Sequence, residues 1–330
     1  MRSRSQFLNL FILLLWVILC AGCTGRLLVK KQPPKTLRTD HFVMVTTVPG
    51  DTFASLAATY LKDKNKAWQI AAFNPTGNLT PGKRVVIPLV PLNPGGLQKN
   101  GYQTVPVLLY TSVGAASSKS RSISSRAFER QLDYLQNNGY VTISLDLFHG
   151  FLELEDQLPA KAVVISFDST DAWVHDIAFA ALRQRGMQAA LFIDPAAVGR
   201  KGRLTWGQLA EMARSGWSIG LFGPPLKAPA KEDVKACLDG YEAALVRPQA
   251  AFRRYLKRPC RYFAYPHGES DDLTVALLKK HGYAAAFTRK RGSNPFFVDN
   301  YQIKRSIISG QYNLDRFRQN LITFRTAALQ

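Results

Sequence analysis

From residue 105 onward the chain alternates two hydrophobic rhythms. Short apolar runs recur at 105–110, 140–145, 162–168, 189–194, 217–222, 261–266, 284–288 and 303–308 and predict strands. Between them, apolar residues at three-to-four spacing predict helices at 125–138, 171–185, 205–215, 231–246, 271–281 and 315–325. Strands that alternate with helices imply a mostly parallel sheet covered by helices. A smaller pattern precedes it at 42–90. There a short strand from Phe42 leads to the turn Pro49-Gly50-Asp51-Thr52, where Thr52 is placed to cap a helix with Ala54, Leu56, Ala57 and Tyr60 on one face. A second helix near 67–73 and a strand near 84–89 complete a β-α-α-β unit. Residues 91–104, with Pro91, Pro94-Gly95-Gly96 and Asn100-Gly101, read as a linker.

Composition agrees with a packed core, since 46% of the 330 residues are hydrophobic. Charge adds more. Lys and Arg outnumber Asp and Glu by 43 to 23, a net charge of +20. That excess predicts an anionic neighbour, either nucleic acid, a membrane surface or an acidic wall polymer, with simple solubility as the alternative. Basic residues crowd the last third, and Arg289-Lys290-Arg291 directly follows the strand predicted at 284–288.

The N-terminus narrows the choice. Arg2 and Arg4 precede an apolar run from Phe7 to Leu19, too short to span a bilayer comfortably, and Ala21-Gly22-Cys23 follows. Residues 1–23 therefore read as an export signal that resembles a lipoprotein leader, with lipid on Cys23. Cys20 stands where such leaders carry Leu, and an uncleaved membrane anchor is the alternative. Both place the body outside the cytoplasm and exclude a nucleic-acid partner. Residues 24–41 read as a tether, and Thr24 after the lipid site resembles outer-membrane sorting if the organism is Gram-negative. Of the remaining cysteines, Cys237 and Cys260 are expected to be either a disulfide or two buried thiols.

Two resemblances follow from ordered motifs. The 42–90 unit, with Gly50-Asp51-Thr52 at its first turn and Leu79-Thr80-Pro81-Gly82 before its last strand, resembles a LysM domain. That resemblance implies binding of N-acetylglucosamine-containing glycans such as peptidoglycan through Gly50, Asp51 and Thr52, with a structural spacer as the alternative. Residues 105–330 resemble the polysaccharide deacetylase (NodB-homology) family. The resemblance is carried by 105–111 ending in Tyr110-Thr111, by Ser166-Phe167-Asp168-Ser169, by Leu204-Thr205-Trp206 through Gly220, by Phe263-Ala264-Tyr265-Pro266-His267-Gly268, and by His281-Gly282-Tyr283 with Ala286-Phe287-Thr288. It implies an irregular (β/α) barrel with its reactive groups at the C-terminal strand ends.

In that family one Asp acts as general base, and a second Asp with two His holds a divalent metal such as zinc that polarises the amide and activates water. Here Asp168 keeps the base position, but Ser169, Phe222 and Leu226 occupy the three ligand positions and Thr111 replaces a His. No His occurs between His175 and His267 to restore the set. Asp168 is therefore expected to be vestigial, with no inherited metal and no cofactor. A rebuilt zinc or other divalent site would have to draw on Asp168, Asp171, Asp194, His149 and His267. Sugar binding without turnover is the more economical expectation, with Trp173, Tyr110, Tyr265, His267 and Asp194 as contact residues and Trp206 and Trp217 as core. An active metal-dependent deacetylase with a relocated site and a scaffold for a true deacetylase are the alternatives.

Overall fold

The computed structural model describes residues 36–74, 79–114, 122–224 and 234–327, without the side chains of 234 and 237. The leader, Cys23 and Leu226 lie outside these residues. The chain divides between Leu89 and Val90 into two units. Among the described residues no helix is long and apolar enough to cross a membrane.

The first unit comprises β1 (Leu37–Arg38), β2 (Phe42–Thr46), α1 (Phe53–Tyr60), a 3₁₀ turn at Lys64–Lys66, α2 (Ala67–Phe73) and β3 (Arg84–Pro88). Strands β2 and β3 pair antiparallel from Phe42↔Pro88 to Thr46↔Arg84. Their alternation turns Val43, Val45, Val85 and Ile87 onto Leu56, Ala57 and Ile70 of the helices. The β-α-α-β order follows the sequence pattern. The predicted tether is shorter than expected, because Leu37 and Arg38 pair with Met44 and Val43.

The second unit opens with β4 (Leu97–Gln98), which pairs with β5 (Gly101–Tyr110). The predicted linker is thus folded onto its own unit: the N–H groups of Leu92 and Asn93 donate to Gln157 Oε1 at 3.1 and 3.2 Å. Then come β6 (Val113–Gly114), β7 (Ile123–Ser124), α3 (Ser125–Asn137), β8 (Val141–Thr142), α4 (Leu145–Leu152) and β9 (Ala162–Asp168). A widened π turn (Val174–Phe179) leads into α5 (Ala180–Gln184), followed by β10 (Ala190–Ile193), α6 (Trp206–Arg214) and β11 (Ser218–Phe222). The last part holds α7 (Val234–Ala251), β12 (Tyr262–Ala264), α8 (Asp272–Lys280), β13 (Ala285–Phe287), β14 (Ser293–Pro295), β15 (Ser306–Ile307), α9 (Leu314–Arg318) and β16 (Phe324–Thr326).

A curled parallel sheet runs in the order β13-β12-β11-β10-β9-β5. Strand β15 pairs parallel with β5, and Ile303, just before it, bridges Phe287 of β13, so the segment 303–307 joins the two sides of the curl. Both faces of the sheet are apolar, as expected when helices cover one and the curl encloses the other. Val105, Val107, Ala162, Val164, Ala190, Phe192, Tyr262, Ala264, Ala285 and Phe287 form the inner layer. Leu108, Ile165, Phe167, Leu191, Leu221 and Phe263 face the helices, where Phe128, Leu132, Leu209 and Leu278 meet them.

Three elements depart from the sequence pattern. The strand predicted at 140–145 is only β8, and Ser144 caps a helix instead, its Oγ accepting from the Leu147 N–H. That helix, α4, lies under the inner layer: Leu145 donates to Ser218 Oγ at the start of β11, and Asp146 accepts from the Tyr262 hydroxyl at the start of β12. It therefore closes the N-terminal end of the curled sheet. Helix α7 passes through Pro248 and continues as a widened π turn (Phe252–Leu256) before Lys257 stops it at φ 59°. A sequence rule ends helices near proline. Here the Gln249 amide bonds the Cys260 backbone in both directions, and Phe252 and Leu256 are buried, which holds the extension in place. The helix predicted at 315–325 ends at Arg318, because the Asn320 side chain donates to the carbonyls of Arg316 and Phe317, and β16 then pairs with β5.

Cys260 is a free thiol with 1% exposure, and burial pushes its pKa up to about 12. A maleimide at pH 8 should leave Cys260 unmodified in the native protein and label it after denaturation, as read by peptide mass mapping. Native labelling at Cys260 would contradict its burial.

Candidate functional site at the C-terminal strand ends

The parallel strands bring Thr111, Asp168, Asp194, Phe222, His267 and Thr288 to the same end of the curl. Asp168 ends β9 with its side chain turned inward, only 1% exposed. Its carboxylate accepts from Arg305 Nη1 at 2.5 Å on Oδ1 and from Arg305 Nη2 at 3.0 Å on Oδ2. Arg289 Nη2 stands 3.3 Å from Oδ2. Arg305 is itself fully buried, donates its Nε–H to the Thr288 carbonyl at 2.9 Å, and lies over the Phe192 ring. A fork-to-fork pair of this kind uses lone pairs on both carboxylate oxygens. Arg305 is the functional residue that the sequence pattern misses. The available signal is an Arg inside the apolar run 303–308, where a charge demands a partner.

The next acid along is also engaged. Ser169 Oγ donates to Asp171 Oδ2 at 3.1 Å and accepts from the Asp171 N–H, and Asp171 forms an ion pair with Arg203. Phe222 turns into the curl and packs, half-buried, on the inner layer. Asp194 is exposed, with Oδ1 accepting from the Ala196 N–H at 2.9 Å; it borders an apolar cavity of about 580 Å³ with Pro195, Phe222, Pro224 and Arg247.

Other expected contact residues sit elsewhere. Tyr110 and Tyr265 are buried, their hydroxyls donated to Gln131 Oε1 and the Tyr301 carbonyl, and burial raises both phenol pKa values. Neither ring face is open to a sugar. Trp173 is half-buried, its ring centroid 5.9 Å from Phe167 in an edge contact. Trp217 is core, stacked on Phe167, whereas Trp206 is half-buried and stacks on Tyr255. His267 is exposed at this end with a left-handed φ of 60°. His149, expected here, lies on α4 at the opposite end, 3.7 Å from Glu153. In the first unit Gly50 takes φ 91°, Asp51 Oδ2 accepts from the Val48 N–H, and Thr52 caps α1 in a reciprocal box with Ser55. These are turn and cap duties.

Residues 155–286 match the family model described as polysaccharide deacetylase. Over this stretch the chain matches the polysaccharide deacetylase family. It is similar to the poly-β-1,6-N-acetyl-D-glucosamine N-deacetylase of Staphylococcus epidermidis, at 26% identity over 206 residues covering 59% of this chain and 71% of that protein. The corresponding enzyme of Staphylococcus aureus strain MSSA476 is 24% identical over 201 residues, 58% of this chain and 69% of that one. Among solved structures, IcaB from Ammonifex degensii shares 27% identity with a TM-score of 0.57, covering 67% of this chain and 96% of that one. Streptococcus pyogenes deacetylase PplD, solved with acetate, matches in fold with a TM-score of 0.60 at 20% identity, over 66% of this chain and 98% of its own.

The match to that family implies a divalent metal, and the described residues do not fit one at the place the motifs give it. Ser169 is tied into a turn with Asp171, Asp171 is neutralised by Arg203, Phe222 offers only carbon, and Asp168 is enclosed by guanidinium groups. Among the described residues, no three His, Cys, Asp or Glu side chains gather closely enough to share a cation. The five residues expected to converge in a rebuilt centre do not: His149 is at the far end, and Asp168 and Asp171 are paired with arginines.

Proposed function

We propose that this chain is an exported cell-envelope lipoprotein, anchored through lipid on Cys23, that binds N-acetylglucosamine-containing polysaccharide such as peptidoglycan without hydrolysing it. The observation that carries the proposal is the Asp168 carboxylate, 1% exposed and gripped on both oxygens by a buried arginine. A general base needs an open lone pair within reach of the attacking water. Amide hydrolysis further needs an electrophile to hold the developing oxyanion, and Ser169 and Phe222 supply none. What the deacetylase domain retains is the fold of relatives named for acting on poly-β-1,6-N-acetyl-D-glucosamine. The β-α-α-β unit, LysM-like in its motifs, adds a second glycan-binding element. The compartment is the outer membrane or the periplasmic side of the envelope if the organism is Gram-negative.

The names of the relatives favour the competing possibility, turnover at a relocated site. Full-length protein incubated with zinc, cobalt or nickel and then desalted is expected to retain no metal above background. It should release no acetate from N-acetylglucosamine oligomers, yet sediment with insoluble peptidoglycan. Near-stoichiometric metal together with acetate release would overturn the proposal. No metal, no acetate and no sedimentation, but a stable complex with an active deacetylase, would point to a scaffold instead.

A further inference from the structure

We propose that Arg289 makes the C-terminal end of the curled sheet an anion-recognition site, so that the preferred polysaccharide carries anionic oxygen groups, carboxylate or phosphate. This rests on the binding function proposed above and specifies its ligand.

The charges at this end do not balance. Arg305 alone satisfies both oxygens of Asp168, at 2.5 and 3.0 Å. Arg289 adds a second guanidinium to the same carboxylate through one longer contact of 3.3 Å. Two cations around one anion leave a net charge of +1, and the neighbouring acid, Asp171, is already taken by Arg203. Arg289 also differs from Arg305 in access, since its side chain is 20% exposed while that of Arg305 is sealed. Its Nε is buried without a hydrogen-bond partner among the described residues. A buried guanidinium N–H left unmet marks an arrangement that a further acceptor would complete.

The backbone is shaped to place this residue. His267 and Gly268 adopt consecutive left-handed conformations, φ 60° and 84°, and the Arg289 N–H donates to the Gly268 carbonyl at 3.3 Å. A Cβ on residue 268 would stand 2.4 Å from the Arg289 Cβ. Strain in a non-glycine residue and a glycine that cannot be replaced both serve the seating of one arginine. Lys290 and Arg291, both exposed, extend the positive charge outward, and among the described residues the Lys290 ammonium donates to the neutral Gln302 amide rather than to an acid. A guanidinium half-open to solvent beside exposed cations suits the forked oxygens of a carboxylate or phosphate.

The test is isothermal titration of the full-length chain in a nonionic detergent with three probes: trigalacturonic acid, a glycerol phosphate oligomer and neutral chitotriose. At least one anionic probe is expected to bind more tightly than chitotriose, with an affinity that falls as salt rises. Arg289→Gln should weaken the anionic probe about tenfold or more and leave chitotriose unchanged. Arg289→Lys should fold normally and retain part of the affinity, while Arg214→Gln, exposed at the end of α6, should change neither. The tighter of the two anionic probes identifies carboxylate or phosphate as the group read. Chitotriose binding with no preference for either anion, or a preference that Arg289→Gln leaves intact, would overturn the inference while the binding function stands. Failure of all three probes would overturn both.

Discussion

Replacing Arg305 with methionine should cost the second unit about 3–5 kcal/mol, because it leaves the Asp168 carboxylate buried without its main partner. The size follows from the burial of both groups, 0% and 1% exposed, and from the orphaned Thr288 carbonyl that Arg305 Nε now satisfies. Arg289 would retain one contact with Asp168, but at 3.3 Å and from a partly exposed side chain it replaces only a fraction of the pair. Denaturant unfolding of the full chain, followed in the transition reported by Trp173, Trp206 and Trp217, gives the number. The double variant Arg305→Met with Asp168→Leu should recover most of the loss, since removing both charges also removes their desolvation cost. A single variant as stable as the parent would mean that the carboxylate is neutral or hydrated in solution, and the case against a working base would fall with it.

Trp217→Ala is expected to cost a similar amount, about 3–5 kcal/mol, through loss of packing rather than charge. The indole is 1% exposed. It stacks on Phe167 at a centroid distance of 5.6 Å and 7° between planes, and meets Phe179 edge-on at 5.6 Å and 79°. Phe167 immediately precedes Asp168, so the cavity would open directly behind the carboxylate. Trp206 provides the contrast: half-buried on the 40%-exposed Tyr255, it should cost only about 1 kcal/mol when truncated. Equal losses at the two positions would show that burial does not govern these indoles, contrary to the packing described.

The apolar runs made the parallel sheet legible because strands covered on both sides carry hydrophobics at every position, and 162–168 is recovered to the residue as β9. Strand 140–145 misled for the opposite reason. Its apolar residues serve a helix that covers the inner layer from below, and a run of that length carries no period long enough to distinguish the two. That one error carries His149 to the wrong end. Asp168, Ser169 and Phe222 stood out from motif order alone. What order cannot supply is the partner: Arg305 lies 137 positions away, and only the closing of β15 against β5 brings it to the carboxylate. Tyr110 and Tyr265 show a related blind spot, since aromatic content near a strand end says nothing about which way a ring faces.

The Asp168–Arg305 pair also constrains the order in which the molecule can be assembled. Asp168 is synthesised early in the domain and Arg305 near its end, so the carboxylate lacks its two-pronged partner until the last parallel strand docks, with only the single 3.3 Å contact from Arg289 before that. Until then, closing the inner layer would seal an under-paired charge, which opposes collapse of the early strands into a finished sheet. A nascent chain that lacks residues 303–307 is therefore hindered from closing by its own electrostatics, and the domain commits to its final form only once it is whole.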